Sequence, residues 1–309
     1  MKTVSIIILN FNGSKDTLEC LKSVEKLVIN NYKLQVVVVD NGSTDGNIDA
    51  IRNFQFSIFN FQFIKNKENL GFSGGNNVGI RYARDKNADY ILLLNNDTII
   101  DKHIVSELLK VAESNEEIGI VAPKIYFAKG HEFHKNKYKE NERGKVIWYA
   151  GGVIDWNNVI GVHKGVDEVD KGQHEKTEET NFASGCCMMV KKEVFQKVGF
   201  LEKKYFLYYE DSDFSERIKK AGFTIMYAPL AFLWHKNAGS TGGSGSKLQD
   251  YYITRNRMLF GMRYAPFRSK LALIKESIFL FMRGRVWQKR GILDFYLGKF
   301  GRGSYAIKS

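Results

Sequence analysis

Residues 88–97 read ADYILLLNND. Tyr90 to Leu94 is an unbroken run of large apolar side chains, the composition of a strand buried on both faces in the middle of a parallel sheet. The run ends at once in Asn95, Asn96 and Asp97. A buried strand that ends in a carboxylate delivers it to the carboxyl edge of the sheet, where open α/β sheets bind their ligands. One Asp flanked by amides does not cage a metal. It supplies one or two oxygens to a divalent ion whose other ligands are phosphate oxygens and water. The structural alternative is an ordinary strand-to-helix turn, with Asp97 capping a helix that starts near Lys102.

The flanking sequence extends the pattern. Val4–Leu9 and Leu34–Val39 are β-branched-rich runs, ending in Asn10–Gly13 and Asp40–Asp45. A third strand is expected near Phe61–Ile64, followed by a glycine-rich turn over Asn69–Asn77 and a helix over Val78–Asp85. Helical spacing recurs at Leu18, Leu21, Val24 and Leu27, and again over Ile104–Ala112; a further strand is expected at Ile118–Ala122. Strand–helix alternation of this kind argues for a mainly parallel central sheet flanked by helices, with right-handed crossovers. The four polar turns then converge on one edge. They match neither the G-x-G-x-x-G fingerprint nor the phosphate loop G-x-x-x-x-G-K-[ST].

Regularity ends near Ile125. Residues 125–181 read as a polar, partly mobile excursion over the sheet edge, with an apolar island at Val146–Ile154. His131 and His134 lie there with no third ligand nearby and read as solvated loop. Beyond Ala183 come a short helix through Phe195 and Val198, the acidic stretch Glu210-Asp211-Ser212-Asp213, and a last strand at Thr224–Ala228. Asp213 is expected to cap a helix over Phe214–Ala221. That leaves Glu210 and Asp211 without a structural reason, and one of them suits a general base. Tyr205, Phe206, Tyr208 and Tyr209 suit either sugar stacking or the core. Cys186 and Cys187 suit the core.

The 309 residues, 44% of them hydrophobic, suffice for one large domain, and a formal net charge of +12 points to an anionic partner. The three cysteines form no metal or disulfide spacing. No signal-peptide layout and no apolar run of about 20 residues appear, so a cytoplasmic protein is expected. After a Gly/Ser loop at Gly239–Ser246, residues 247–309 read as a helical, basic extension. Its residues between Ala265 and Arg290 alternate bulky apolar and cationic side chains, the pattern of an interfacial helix on an anionic membrane surface.

The ordered segments VSIIILNFNG, VVVVDNGSTDG, NLGFSGGNNVGI, YILLLNNDT, NFASGCCMMVKKEVFQKVGFL and YYEDSDFSERIKKAG, with Trp234-His235 before a glycine-rich loop, resemble the inverting glycosyltransferases of family 2. The resemblance spans Lys2 to Gly239 and implies a GT-A fold over residues 1–246. It implies a nucleotide-sugar donor, Mg²⁺ or Mn²⁺, and a saccharide or lipid-linked acceptor in cell-surface polysaccharide synthesis. Asp40 would meet the base or ribose. Asn96-Asp97 stands at the D-x-D motif, whose first acid is replaced by Asn95. Asp211, or else Glu210, would be the base, and His235 would join Asp97 at the metal or diphosphate. The donor side is assigned to Asn10, Asn12, Asp40, Asn41, Phe72, Gly74, Asn77, Asn96 and Asp97, and the acceptor side to Ser184, Gly185 and Tyr209. YYITRNRMLF, residues 251–260, resembles a segment of rhamnosyltransferase-like members and ranks dTDP-rhamnose before UDP-hexoses as donor. Two competing readings are a nucleotidyltransferase and a non-catalytic nucleotide- or nucleic-acid-binding protein. The first lacks a glycine- and lysine-rich triphosphate loop. A nucleic-acid partner is not expected, because the sheet-edge turns carry Asn, Asp and Gly while the positive charge gathers in the tail.

Overall fold

The computed structural model describes residues 1–56, 59–134, 136–236 and 245–305. The first half of the chain alternates as the sequence predicts: β1 (Lys2–Asn10), α1 (Ser14–Val24), β2 (Tyr32–Asp40), α2 (Ile48–Arg52), β3 (Asn60–Lys65), α3 (Gly71–Asp85) and β4 (Tyr90–Asn95). There follow β5 (Thr98–Ile100), α4 (Ile104–Ala112), β6 (Ile118–Phe127), β7 (Ile147–Tyr149), β8 (Gly152–Asp155), β9 (Ile160–His163) and β10 (Glu178–Glu179). The remainder is β11 (Cys187–Lys191), α5 (Lys192–Val198), α6 (Glu210–Lys220), β12 (Thr224–His235), α7 (Lys247–Tyr264), α8 (Phe267–Arg283) and α9 (Val286–Tyr296).

One sheet runs β10-β12-β6-β11-β4-β1-β2-β3, with β5 added to β12 and β7 to β6; β8 and β9 form a separate hairpin. The β1–β2, β1–β4, β2–β3 and β6–β12 pairs are parallel, and β11 enters antiparallel between β4 and β6. Ile91 to Leu93 in β4 have no solvent exposure, as a strand with neighbours on both sides and helices on both faces requires. Asn10 pairs with Asp40, and Leu9 with Asn95, so the first, second and fourth turns emerge side by side.

Several boundaries differ from expectation. Helix α3 begins at Gly71, so most of the expected glycine-rich turn is helix. The glycines are there for contact: a Cβ on Gly75 would lie 2.4 Å from Leu9 Cδ1, and one on Gly79 would lie 2.4 Å from Ile7 Cγ2. Close seating of the helix on β1 overrides poor helix propensity. Asp97 caps no helix, because β5 intervenes before α4. Strand β12 continues to His235, past Pro229, through a register shift between Ala228 and Phe232, the irregularity at which a sheet admits proline. Asp213 does not cap α6. The helix starts at Glu210, and Asp213 is a fully buried anchor bonded to Arg217, Arg263, Tyr264 and Tyr205.

The polar excursion is also more structured than expected. Its apolar island forms β7 and β8, Tyr149 and Val146 are fully buried, and buried Lys124 pairs with Asp170 and Glu175. The expected Gly/Ser loop falls largely outside the described residues. The basic extension divides in two. Helix α7 is packed into the protein, with Tyr251, Tyr252, Arg255 and Asn256 at zero exposure, and α9 packs on α7. Helix α8 leaves Phe267, Leu271, Ile278, Phe279, Phe281 and Met282 exposed. Among the described residues no helix is long and apolar enough to cross a membrane.

Candidate active site

A cleft of about 470 Å³ opens where the strand ends converge. Its walls include Asn41, Phe72, Asn96, Asp97, Ser184, Gly185, Glu210, Asp211 and His235, nine of the residues singled out from sequence. Asn41 spends its amide on tying the third turn to the second. Its Nδ2 donates to Asn69 Oδ1 and the Gly71 carbonyl, and its Oδ1 accepts from Asn66 Nδ2 and the Leu70 N–H. Asn96 donates to Thr17 Oγ1 at 3.0 Å and so ties the fourth turn to α1.

Asn10, Asn12, Asp40, Gly74, Asn77 and Tyr209 stand outside the cleft lining. Asn10 Nδ2 donates to Asp40 Oδ1 at 3.0 Å beneath the edge, and Asn12 Oδ1 accepts from the Thr44 N–H at 2.8 Å. Asp40 Oδ2 is fully buried without a hydrogen-bond partner beneath the sheet edge. Asn77 clasps the backbone of Leu201 in both directions, and a Cβ on Gly74 would meet Leu70 Cβ at 2.8 Å. Tyr209 donates its hydroxyl to the Val159 carbonyl at 3.0 Å. These residues shape the scaffold under and beside the cleft.

Pairing of β5 with β12 sets His235 opposite Thr98, next to Asp97. His235 Nε2 lies 3.2 Å from Asp97 Oδ1. Burial opposes ionisation of Asp97, but the His235 charge and hydrogen bond, with Lys236 behind them, hold its carboxyl below the usual range. Among the described residues no group of three His, Cys, Asp or Glu side chains converges as a cage. Asp97 and His235 fit instead an ion that completes its shell from a ligand's phosphates and water. A carboxylate with an imidazole suits Mn²⁺ at least as well as Mg²⁺. His131 and His134 form no such site; His134 bonds Asp167.

Helix α6 starts at the same cleft, with Glu210 and Asp211 in its lining. Asp211 Oδ2 accepts from the Gly185 N–H at 3.0 Å, and its Oδ1 accepts from the Ser212 N–H at 2.7 Å and hydroxyl at 3.2 Å. Burial pushes the Asp211 carboxyl up, and these three donors restrain the rise. Glu210 has only its own backbone N–H in support. It is 5% exposed, its Oε2 is buried without a partner, and burial, with the Asp211 charge next, pushes it well above the usual carboxylate range. The two carboxyls are thus set apart, Asp211 ionised more readily than Glu210.

Two wall residues escaped the sequence reading. The Trp148 ring stands 4.8 Å from His235 and 4.4 Å from His163, edge-on to both. His163, its Nδ1 3.0 Å from the Trp148 carbonyl, is pushed by burial down to about 4 and is neutral near pH 7. Phe206, Leu207, Tyr208, Leu248 and Gln249 also belong to the wall, and among the described residues no Lys or Arg lines it. Cys186 and Cys187 are buried as expected.

A cleft at the parallel edge that gathers Asp97, His235, Glu210 and Asp211 stands where open α/β sheets bind their ligands. The profile of Glycosyl transferase family 2 matches residues 5–199, and the chain belongs to that family. It is 27% identical over 257 residues to the low-salt glycan biosynthesis hexosyltransferase Agl10 of Haloferax volcanii, covering 83% of this chain and 74% of that protein. It is 26% identical over 220 residues to the N-acetylglucosaminyl-diphospho-decaprenol L-rhamnosyltransferase of Mycobacterium tuberculosis, covering 68% of each. Among solved structures, GalNAc-T7 with UDP, GalNAc and Mn²⁺ is similar at a TM-score of 0.61 and 14% identity, covering 90% of this chain and 57% of that one. S. aureus TarS with UDP-GlcNAc is similar at 0.60 and 15%, covering 96% and 79%. The GT-A fold and sugar transfer from a nucleotide-sugar follow.

Proposed function

We propose that the protein is a metal-dependent, inverting glycosyltransferase that adds a sugar to a hydroxyl of a saccharide or lipid-linked acceptor in cell-surface polysaccharide synthesis. The observation that carries the reading is the meeting of Asp97, His235 and Asp211 in the lining of one cleft. In this reading Asp97 and His235 hold Mg²⁺ or Mn²⁺, and the nucleoside lies over the end of β2, above the buried Asp40 carboxylate. The bound ion would neutralise the charge that grows on the departing diphosphate. Among the described residues the cleft wall has no Lys or Arg to do so. Asp211, held by the Gly185 and Ser212 donors, takes the proton from the acceptor hydroxyl as that oxygen attacks the anomeric carbon from the face opposite the diphosphate. Glu210, the more readily protonated of the pair, stays neutral beside it.

A rhamnosyl donor stands first, supported by the rhamnosyltransferase named above and the Tyr251–Phe260 segment; a UDP-hexose stands second, supported by the hexosyltransferase. Membrane attachment falls to α8. Its exposed Leu271, Ile278 and Met282 lie on one helical face, with Arg268, Lys270, Lys275 and Arg283 around them. The direct test is a panel of nucleotide-sugars assayed for divalent-metal-dependent binding and hydrolysis. Turnover of one of them, abolished by chelation, supports the reading. Failure of every dTDP- and UDP-sugar with either metal overturns it.

A further inference from the structure

The segment from Tyr205 to Tyr209 passes between the cleft and α7. Its backbone is left-handed at Phe206, Tyr208 and Tyr209, with φ of 65°, 69° and 71°. Bulky side chains rarely adopt that conformation, and it persists only where surrounding structure imposes it.

Helix α7 imposes it. Asn256, at zero exposure, directs Nδ2 at the carbonyls of Tyr205 (2.8 Å), Leu207 (2.8 Å) and Tyr208 (2.9 Å). An amide has two hydrogens, so these three acceptors share them. Arg255, also at zero exposure, donates from Nη2 to the carbonyls of Tyr205 (3.0 Å) and Lys204 (3.2 Å). From Nη1 it donates to the Gly301 carbonyl at 2.8 Å, and from Nε to Asn256 Oδ1 at 3.0 Å, which fixes the direction of the amide. A buried guanidinium satisfied by carbonyls is a costly way to attach a helix, and here its Nη2 holds the Lys204–Tyr205 backbone while its Nη1 holds the turn at Lys299–Gly301.

The Tyr205–Tyr209 segment joins both halves of the site. The Phe206 carbonyl accepts from the Phe72 N–H at 2.6 Å, in the first turn of α3, and Phe72 lines the cleft. At its other end, left-handed Tyr209 is the N-terminal cap of α6, so its backbone sets the direction in which Glu210 and Asp211 leave. The geometry points to Asn256 and Arg255 as positioning residues for sugar transfer: by holding the Tyr205–Tyr209 backbone they fix Asp211 in register with the donor side of the cleft. The inference rests on Asp211 being the base.

An error of about 1 Å in a catalytic group lowers rate by about 10²-fold without touching binding determinants elsewhere. The test uses the full-length chain with Asn256→Ser, which keeps one donor, and Arg255→Lys, which keeps the charge and loses the fork. Nucleoside diphosphate affinity with Mn²⁺ is measured by calorimetry, which also counts competent sites. Turnover per competent site and KM for the nucleotide-sugar are then measured well below each variant's melting temperature. The expected result is a turnover loss of 10-fold or more, with KM and nucleoside diphosphate affinity within about 3-fold of the parent protein. Parental turnover per competent site in a folded variant, or a turnover loss matched by an equal loss of nucleotide affinity, overturns the inference, because either marks a merely structural strap. If both variants lose all nucleotide-binding sites, α7 is a folding element and the inference also falls. Failure of the base assignment shows separately, as an Asp211→Asn protein that turns over normally.

Discussion

Replacing Asp211 by Asn keeps the size of the side chain and removes its basicity. Two costs follow from the surroundings. The first is catalytic: a positioned general base contributes about 10²–10⁴ in rate, or about 3–5 kcal/mol of barrier. The second is structural. Ser212 still has an oxygen to donate to, but the new NH₂ faces the Gly185 N–H that now bonds Oδ2 at 3.0 Å. Two donors in contact leave a buried group unsatisfied, at a cost of about 1–3 kcal/mol. The variant is therefore expected to melt lower, to bind nucleoside diphosphate with Mn²⁺ as the parent does, and to turn over 10²-fold or more slowly. Donor hydrolysis and transfer are followed by release of nucleoside diphosphate, beside Glu210→Gln as control. Glu210 Oε2 bonds nothing, so Gln there is accommodated easily. A large loss in Glu210→Gln with near-normal turnover in Asp211→Asn would refute the reasoning and pass the role to Glu210.

Glu210 also makes a stability prediction. Its folded pKa is raised, so its contribution is fully present below the unfolded value of about 4.3 and is lost as pH rises through the folded value. Gln is neutral throughout, so Glu210→Gln should raise the melting temperature at about pH 8 and leave it nearly unchanged at about pH 4; a shift of equal size at both would exclude a buried charge. Gly79→Ala sets a Cβ 2.4 Å from Ile7 Cγ2 and should cost about 1–3 kcal/mol in denaturant unfolding, whereas a neutral or stabilising effect would show that α3 does not seat on β1 as described. Ile278→Glu with Met282→Glu should abolish co-sedimentation with anionic liposomes while keeping donor hydrolysis, and unchanged sedimentation would remove α8 as the contact. Deleting everything after Tyr264 is a poorer test, because α9 buttresses α7, Asp294 accepting the Tyr251 hydroxyl.

The sheet was legible because buried parallel strands are long, apolar and abruptly ended, as at Leu94-Asn95. The site residues that end such strands were legible for the same reason: Asp97 and Asn41 came directly from turn positions. Glu210 and Asp211 together were marked by the lack of a structural reason for so many adjacent carboxylates, and only the family resemblance put Asp211 first. What failed was tertiary. Propensity placed a turn at Asn69–Asn77, because Leu9, the partner that favours a glycine at position 75, is distant in sequence. Pro229 concealed the second half of β12, the half that carries His235 to Asp97. Trp148 lay in the apolar island at Val146–Ile154 with nothing local to aim it at the cleft, and His163 lay in a polar stretch whose short strand was masked. Arg255 was legible only as one more cation of a basic tail, since a guanidinium is surface by default and nothing in YYITRNRMLF signals that it turns inward.

The central claim is that this cleft holds a nucleotide-sugar through an ion bound by Asp97 and His235. Calorimetric titration of UDP and dTDP, with their sugars, into parent protein and Asp97→Ala, with Mn²⁺ and with chelator, tests it most directly. The account predicts binding by the parent only when metal is present, and none by Asp97→Ala at an unchanged melting temperature. Equal, metal-independent binding by both proteins would contradict it.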